Sequence, residues 1–483
     1  MKIDRRQFVV GTTAAVSGLA AGQSALSAST AANDIRVAVI GVRSRGNEHL
    51  NSFGARVAAI CDVDHKVLQS RADEHEARTS TRVDRITDYR KLLERDDIDC
   101  VSIATPNHTH SLIAIDAIRA GKHVYVEKPV SHNVWEGRQL VAAANKHGQI
   151  VQCGTQSRSS KALQQAVQWV QGGALGKIEY AIGTCYKPRK PVASRTSPLS
   201  IPDHIDYDLW CGPAAKEDLY RESLHYDWHW DWNTGNGDMG NQGIHQMDIA
   251  RWFLGEDGLA PRTISIGGRL GYEDVGNTPN TQVVLHDYPD APLLFETRGL
   301  PRSKEAQRNW GDSMDHYRGS RIGVIVQCER GHVLVPNYRE AIAFDRDGEN
   351  IKYWKNSGNH FENFLDAVQA QDASLLTGPI QEGHVSSALC HTGGVSQQLA
   401  EPATAREIAE RIAGNDLLSD SFERMAGHLR ANGVDVDESP GALAIGPMLQ
   451  VDPATERFTD SDPAAGLFAR KDRSGFEVPD YGA

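Results

Sequence analysis

The stretch from residue 35 to 155 constrains the fold most. Short Val- and Ile-rich runs at 36–40, 57–61, 100–104, 124–127 and 150–153 each close in a turn signal. Between them, 109–120 sets Leu112, Ile115 and Ile118 on one helical face and stops at Gly121, and 134–147 stops at Gly148. Strand and helix alternating on this scale predict a parallel, doubly wound sheet with helices on both faces. Beyond about 157 the runs lengthen (177–186, 262–272, 281–288, 321–336), with helices expected at about 161–172, 243–254 and 359–371. Long strands joined by short turns predict a second, mostly antiparallel sheet. The expected class is therefore α/β, a doubly wound parallel sheet followed by a C-terminal α+β domain with an open sheet. A boundary falls near 156, and residues 401–483 form an extension that begins helical and becomes rich in Pro, Asp and Gly.

The first strand runs into Gly41-Val42-Arg43-Ser44-Arg45-Gly46 and then a helix. A dinucleotide needs a tight turn, backbone close to its pyrophosphate, and a helix N-terminus aimed at the anion. Gly41 and Gly46 stand at the first and third glycine positions of such a turn, and Arg43 replaces the middle one. Arg43 and Arg45 can offer charge to phosphates in exchange. Asp62, twenty-one residues after Gly41, ends the second strand, where a carboxylate accepts ribose hydroxyls and repels a 2′-phosphate. The pattern favours NAD over NADP in a Rossmann domain spanning 33–156.

The later strands of this half end in Thr105-Pro106-Asn107-His108-Thr109-His110 and in Glu127-Lys128-Pro129. The ligand crevice of an open α/β sheet lies outside those strand ends, so both segments point into it. On these residues the chain resembles the glucose-fructose oxidoreductase / inositol dehydrogenase / rhizopine-catabolism (Gfo/Idh/MocA) family, most strongly over 35–160 and 225–255. The resemblance makes Thr105, Pro106, Asn107, His110 and Glu127 cofactor contacts and Lys128 a donor to the substrate oxygen, with a cis bond before Pro129. It sets Asn241 and His245, four residues apart, on one helical face. His245 is then the general acid or base, and Asn241 stands where dehydrogenases of the family carry a carboxylate. Gln156 and Arg158 resemble positions near the substrate entrance. In 225–232, Trp228, Trp230 and Trp232 alternate, so on a strand they share a face suited to sugar rings, with core packing the competing use. The family's second domain uses one sheet face against the Rossmann half and often the other for oligomer contacts, so a homo-oligomer is expected.

Residues 1–32 read as an export signal. Lys2, Arg5 and Arg6 precede a short apolar stretch and then small residues, and Arg5-Arg6 followed by Phe8 resembles a twin-arginine signal. That route carries folded proteins and implies a periplasmic enzyme loaded with its cofactor beforehand. The stretch is too short to span a bilayer. With 51 basic against 63 acidic residues the formal charge is −12, which argues against nucleic acid and anionic lipid as partners. Seven scattered Cys include no C-x-x-C pair, so neither a disulfide framework nor a metal site is expected. The expectation is an exported NAD-dependent oxidoreductase acting on a sugar, polyol or glycoside. The alternatives are a redox-neutral, NAD-dependent glycoside hydrolase and a non-catalytic sugar-binding protein that keeps its cofactor.

Overall fold

The computed structural model describes residues 35–311, 313–438, 443–459 and 462–483. The expected export signal, residues 1–32, lies outside the described residues. The first sheet holds β1 (Val37–Ile40), β2 (Val57–Cys61), β3 (Asp84–Ile86), β4 (Cys100–Ile103), β5 (His123–Val126) and β6 (Val151–Cys153), all parallel and in the order β3-β2-β1-β4-β5-β6. Strand β1 is buried at every position because helices cover both faces. Those helices are α1 (Ser44–Phe53), α2 (His65–Thr79), α3 (Tyr89–Leu93), α4 (His110–Arg119) and α5 (Val134–His147). Their ends follow local chemistry. Asp64 caps α2 by accepting from the Lys66 and Val67 amides, Asn133 caps α5, and Gly148 closes α5 in the left-handed conformation. The order reverses between β1 and β4, and that is the switch point where an α/β sheet opens a ligand crevice.

After α6 (Lys161–Gln171), β7 (Ile178–Tyr186) enters a second, twelve-stranded sheet. It pairs parallel with β10 (Leu293–Arg298) and antiparallel with β11 (Ile322–Cys328). The sheet continues through β12 (Gly331–Asn337), β13 (Glu340–Asp345) and β14 (Asn350–Lys355) on one side, and through β9 (Thr281–His286) and β8 (Arg262–Gly268) on the other. Between β7 and β8 lie α7 (Tyr207–Cys211) and α8 (Ile244–Leu254), which packs on β7 and β11. The mixed, mostly antiparallel sheet matches the expected class.

Helices α9 (His360–Ala370) and α10 (Ile380–Gln398) return to the first domain. Phe364, Leu365 and Val368 of α9 join the core around Phe53 and Tyr125. The extension is built into the fold: β15 (Glu401–Ala403) and β16 (Leu443–Ile445) lengthen the second sheet beyond β8. Helices α11 (Ala405–Ile412) and α12 (Asp416–Ala431) cover the sheet face of Ile182, Ile264, Leu285 and Leu294 with Ile408, Phe422, Met425 and Leu429. Phe476 and Val478 then pack into the core of the first domain. All seven cysteines are buried and unpaired. No helix among the described residues is long and apolar enough to cross a membrane.

Candidate functional site

A cavity of about 710 Å³ opens at the switch point, with the Gly41–Gly46 turn, Asp62, Thr105, Lys128 and Asn241 in its wall. The turn has no room for side chains. A Cβ on Gly46 would lie 1.7 Å from the Gly41 carbonyl oxygen, and one on Gly41, at φ +80°, would meet the Thr105 amide at 2.8 Å. Among the described residues no side chain caps the first turn of α1, and Ser44 and Arg45 of that turn line the cavity, so its amides are donors a pyrophosphate could use. Asp62 is anchored to this turn. One carboxylate oxygen accepts from the Val42 amide and the other from the Asp64 amide, both at 2.9 Å. A narrow glycine turn, an open helix start and an acid on the next strand fit the pyrophosphate and adenosine ribose of NAD.

Burial pushes the Asp62 carboxyl up to about 6. The carboxylate form, which accepts ribose hydroxyls, therefore disappears as pH falls through 6. The nucleotide-free protein should bind NAD about tenfold more weakly at pH 5 than at pH 7.5, by fluorescence titration, and Asp62→Asn should remove that dependence.

The two arginines of the turn divide. Arg43 is exposed and lines the cavity. Arg45 lines it too, but its charge is committed to Glu127 at 2.8 Å and to Glu48, which corrects its expected role as a free phosphate ligand. Glu127 is itself a hub. Burial would raise its carboxyl, but Arg45 and His49 hold it well below its usual range, and Gln156 donates to it at 3.0 Å. It borders the cavity chiefly as the anchor of Arg45.

The loop after β4 is a clasp. Asn107 donates to the Asn236 side chain at 2.9 Å, and the His108 ring meets the Trp210 and Thr234 carbonyl oxygens at 2.8 and 3.2 Å. Both ring nitrogens of His110 contact carbonyl oxygens, of Pro129 at 2.6 Å and Thr105 at 2.7 Å. His110 therefore tethers the Lys128 loop, and it lines the cavity with both ring nitrogens already engaged by backbone. Thr105, Pro106 and Asn107 line the cavity as well. The Lys128–Pro129 bond is cis.

Lys128 ends beside the reacting end of the cavity and donates to the Asn241 backbone carbonyl. Residues Met239–Gly243 form a π-helical turn that runs into α8, an irregularity common at functional sites. Asn241 lies in that turn and His245 one turn on in α8. His245 is half-buried and outside the cavity lining, its ring lies 5.0 Å from that of Tyr338, and its Nδ1 has no hydrogen-bond partner among the described residues. Burial, with the Lys128 charge second, drives His245 down to about 3, so the ring is neutral at pH 7. Burial also lowers Lys128, with Glu127 opposing.

The aromatic segment does not form a strand. Asp227–Trp230 is a 3-10 turn, which points the tryptophans apart. Trp228 lines the cavity and stacks on His229, whereas Trp230 is buried under the Arg189 guanidinium on the far side. His229, in the cavity wall, is the residue that sequence reasoning did not single out as catalytic. The Tyr226 carbonyl accepts from its Nδ1, which leaves Nε2 as an acceptor, and burial pushes it down to about 3. Its signal in the sequence was only its place among aromatic residues.

Gln156 and Arg158 are also relocated. Gln156 binds Tyr125 and Glu127 outside the cavity wall. Arg158 is buried in ion pairs with Asp248 at 2.8 Å and Glu382 at 2.9 Å, so it holds elements together and is not available to substrate.

The segment between β7 and α8 roofs the crevice. Its His204 carbonyl accepts from the His65 amide and its Asp206 amide donates to Val63, both at 2.9 Å, and His225 reaches Asp64 at 3.2 Å. Leu209, Trp210, Ser223 and His225 form the inner side of this roof.

Two family models match the chain: "Oxidoreductase family, NAD-binding Rossmann fold" over residues 35–155 and "Oxidoreductase family, C-terminal alpha/beta domain" over 172–291. Among curated relatives, "Glycosyl hydrolase family 109 protein 1" of Shewanella sp. (strain ANA-3) is 40% identical over 121 residues, 23% of this chain and 26% of the relative. Levoglucosan dehydrogenase of Pseudarthrobacter phenanthrenivorans is 28% identical over 234 residues, 46% of this chain and 53% of the relative. The chain thus matches between about a quarter and about half of the length of these relatives. Among solved structures, the WlbA dehydrogenase of Bordetella pertussis in complex with NADH and UDP-GlcNAcA superposes with TM-score 0.53 at 18% identity, covering 75% of this chain and 96% of that one. With an NAD-binding Rossmann domain and the matching second domain, the chain belongs to the Gfo/Idh/MocA oxidoreductase family.

Proposed function

We propose that this is an exported, NAD-dependent enzyme that oxidises a hydroxyl-bearing carbon of a sugar, polyol or glycoside and keeps its dinucleotide between turnovers. The observation that carries this reading is Lys128, set between the glycine turn that fits a dinucleotide and a wall of Trp228, His229 and Asn241 that fits a polyhydroxylated ring. Bound NAD supplies the hydride acceptor. Lys128 donates to the substrate oxygen, and its lowered pKa lets it release a proton as well as hold one. The Asn241 amide orients a neighbouring hydroxyl but relays no proton. His245, one turn beyond Asn241 and outside the cavity lining, is neutral with an Nδ1 unpartnered among the described residues, and on this reading it takes the hydroxyl proton once substrate is bound. The roof of 204–232 supports slow release of the dinucleotide, as a periplasmic enzyme reached by the twin-arginine route would need.

A paired test follows. His245→Ala should lower kcat about 10²–10³-fold with nucleotide content unchanged, whereas His229→Ala should act mainly on KM. The reverse assignment would make His229 the base.

Similarity to a glycosyl hydrolase family 109 protein favours a second reading, glycoside cleavage with no net redox change. Aglycone release without a lasting absorbance change at 340 nm would select it. Stoichiometric NADH in a single turnover would select the dehydrogenase.

A further inference from the structure

We propose that a second cavity, separated from the first only by Tyr226 and Asp227, binds a further saccharide unit bearing an anionic substituent, so that the substrate is an acidic di- or oligosaccharide. The inference rests on the carbohydrate reading above and specifies its substrate class.

The second cavity is about 680 Å³, comparable to the first, and Tyr226 and Asp227 line both. A substrate reacting at Lys128 can therefore extend past this shared wall into a preformed space. The wall is built under strain. Tyr226 has φ +69° and ψ −48°, and the Asp227 amide donates across it to the His225 carbonyl at 3.0 Å, a γ-turn seldom adopted by a bulky residue. The Tyr226 hydroxyl accepts from Arg189 at 3.0 Å, and its ring is 51% exposed. Tyr226 is thus half exposed to solvent on a strained backbone, with its ring edge against His229 and Trp230.

The lining sorts into three chemistries. Tyr226 and Trp310 offer aromatic faces to the C–H face of a sugar ring. Asp227 offers a half-buried carboxyl with no hydrogen bond or ion pair to another side chain among the described residues, free to accept from sugar hydroxyls. Lys190 and Arg308 are exposed at the rim, and neither makes a salt bridge among the described residues, the Glu305 carboxylate feeling the Arg308 charge only at longer range. Arg189 does not add to them, because Asp238 neutralises it. Two cations without a salt bridge among the described residues stand out at one cavity in a chain of formal charge −12. They suit a uronate carboxylate or a sulfate ester on the second ring.

The test uses the full-length holoprotein on an immobilised panel of di- to tetrasaccharides in neutral, uronate-containing and sulfated forms of shared backbones. The expected result is at least tenfold tighter binding of an acidic form than of its neutral counterpart, weakening with salt. Lys190→Gln with Arg308→Gln should abolish that preference, and the uronate and sulfate arms identify the anion. Trp310→Ala should weaken disaccharide binding about tenfold without changing how monosaccharides reduce the bound nucleotide. Equal binding of acidic and neutral forms, or a preference that survives the double variant, overturns the subsite. If sugars reduce the nucleotide but acidity brings no advantage, only the subsite falls. If no saccharide alters the nucleotide, the carbohydrate reading falls with it.

Discussion

Replacing Lys128 with methionine should lower kcat/KM about a thousandfold while nucleotide content stays unchanged. Methionine keeps most of the aliphatic length but has neither charge nor donor. Among the described residues the Lys128 ammonium hydrogen-bonds the Asn241 carbonyl alone and lines the cavity, so on the proposed reading its loss removes the cation set at the substrate oxygen. Burial already lowers its pKa, so the site gives up little folding stability when the charge goes. The variant should melt close to the parent. Unchanged turnover in Lys128→Met would remove the catalytic reading and leave a sugar-binding protein with a retained cofactor.

The second large effect is expected at Gly46. An alanine Cβ there would sit 1.7 Å from the Gly41 carbonyl oxygen and 2.7 Å from its carbon. Both are backbone atoms that no rotamer change can move. The turn must open, which displaces the amides of α1 from the pyrophosphate position. Gly46→Ala should therefore weaken NAD binding by about a hundredfold or more and cost about 1–3 kcal/mol of stability. Gly427→Ala, in α12 with nothing within 4 Å of its added Cβ, is the matched control. It should leave NAD binding untouched and stabilise by up to about 1 kcal/mol. Calorimetry and nucleotide titration of both variants give the comparison.

Where one period of local sequence decided the structure, the sequence was readable. The five buried strands of the first sheet and the helices ending at Gly121 and Gly148 stand within a residue or two of their expected places. Strand β3 was missed because it is three residues long and mostly exposed. Helix α10 was missed for the opposite reason. It is buried on nearly every side between the two domains, so its Gly, Ser, His and Cys residues show no apolar stripe.

The site failed wherever a distant partner decides. Nothing local to Arg45 announces Glu127, 82 residues away, and nothing near Arg158 announces Asp248, 90 residues away. Asp62 and Asp64 show the limit from the other side. Two residues apart, one holds the glycine turn and the other caps α2, and only the turn geometry separates them. The alternating tryptophans misled because the strained Tyr226 starts a 3-10 turn where period two suggested a strand.

Purified protein isolated from its native compartment and then denatured should release close to one NAD per chain, identified by chromatography and mass. A chain that releases no nucleotide and binds none when NAD is added would contradict both the chemistry assigned to Lys128 and the purpose assigned to the roof above it.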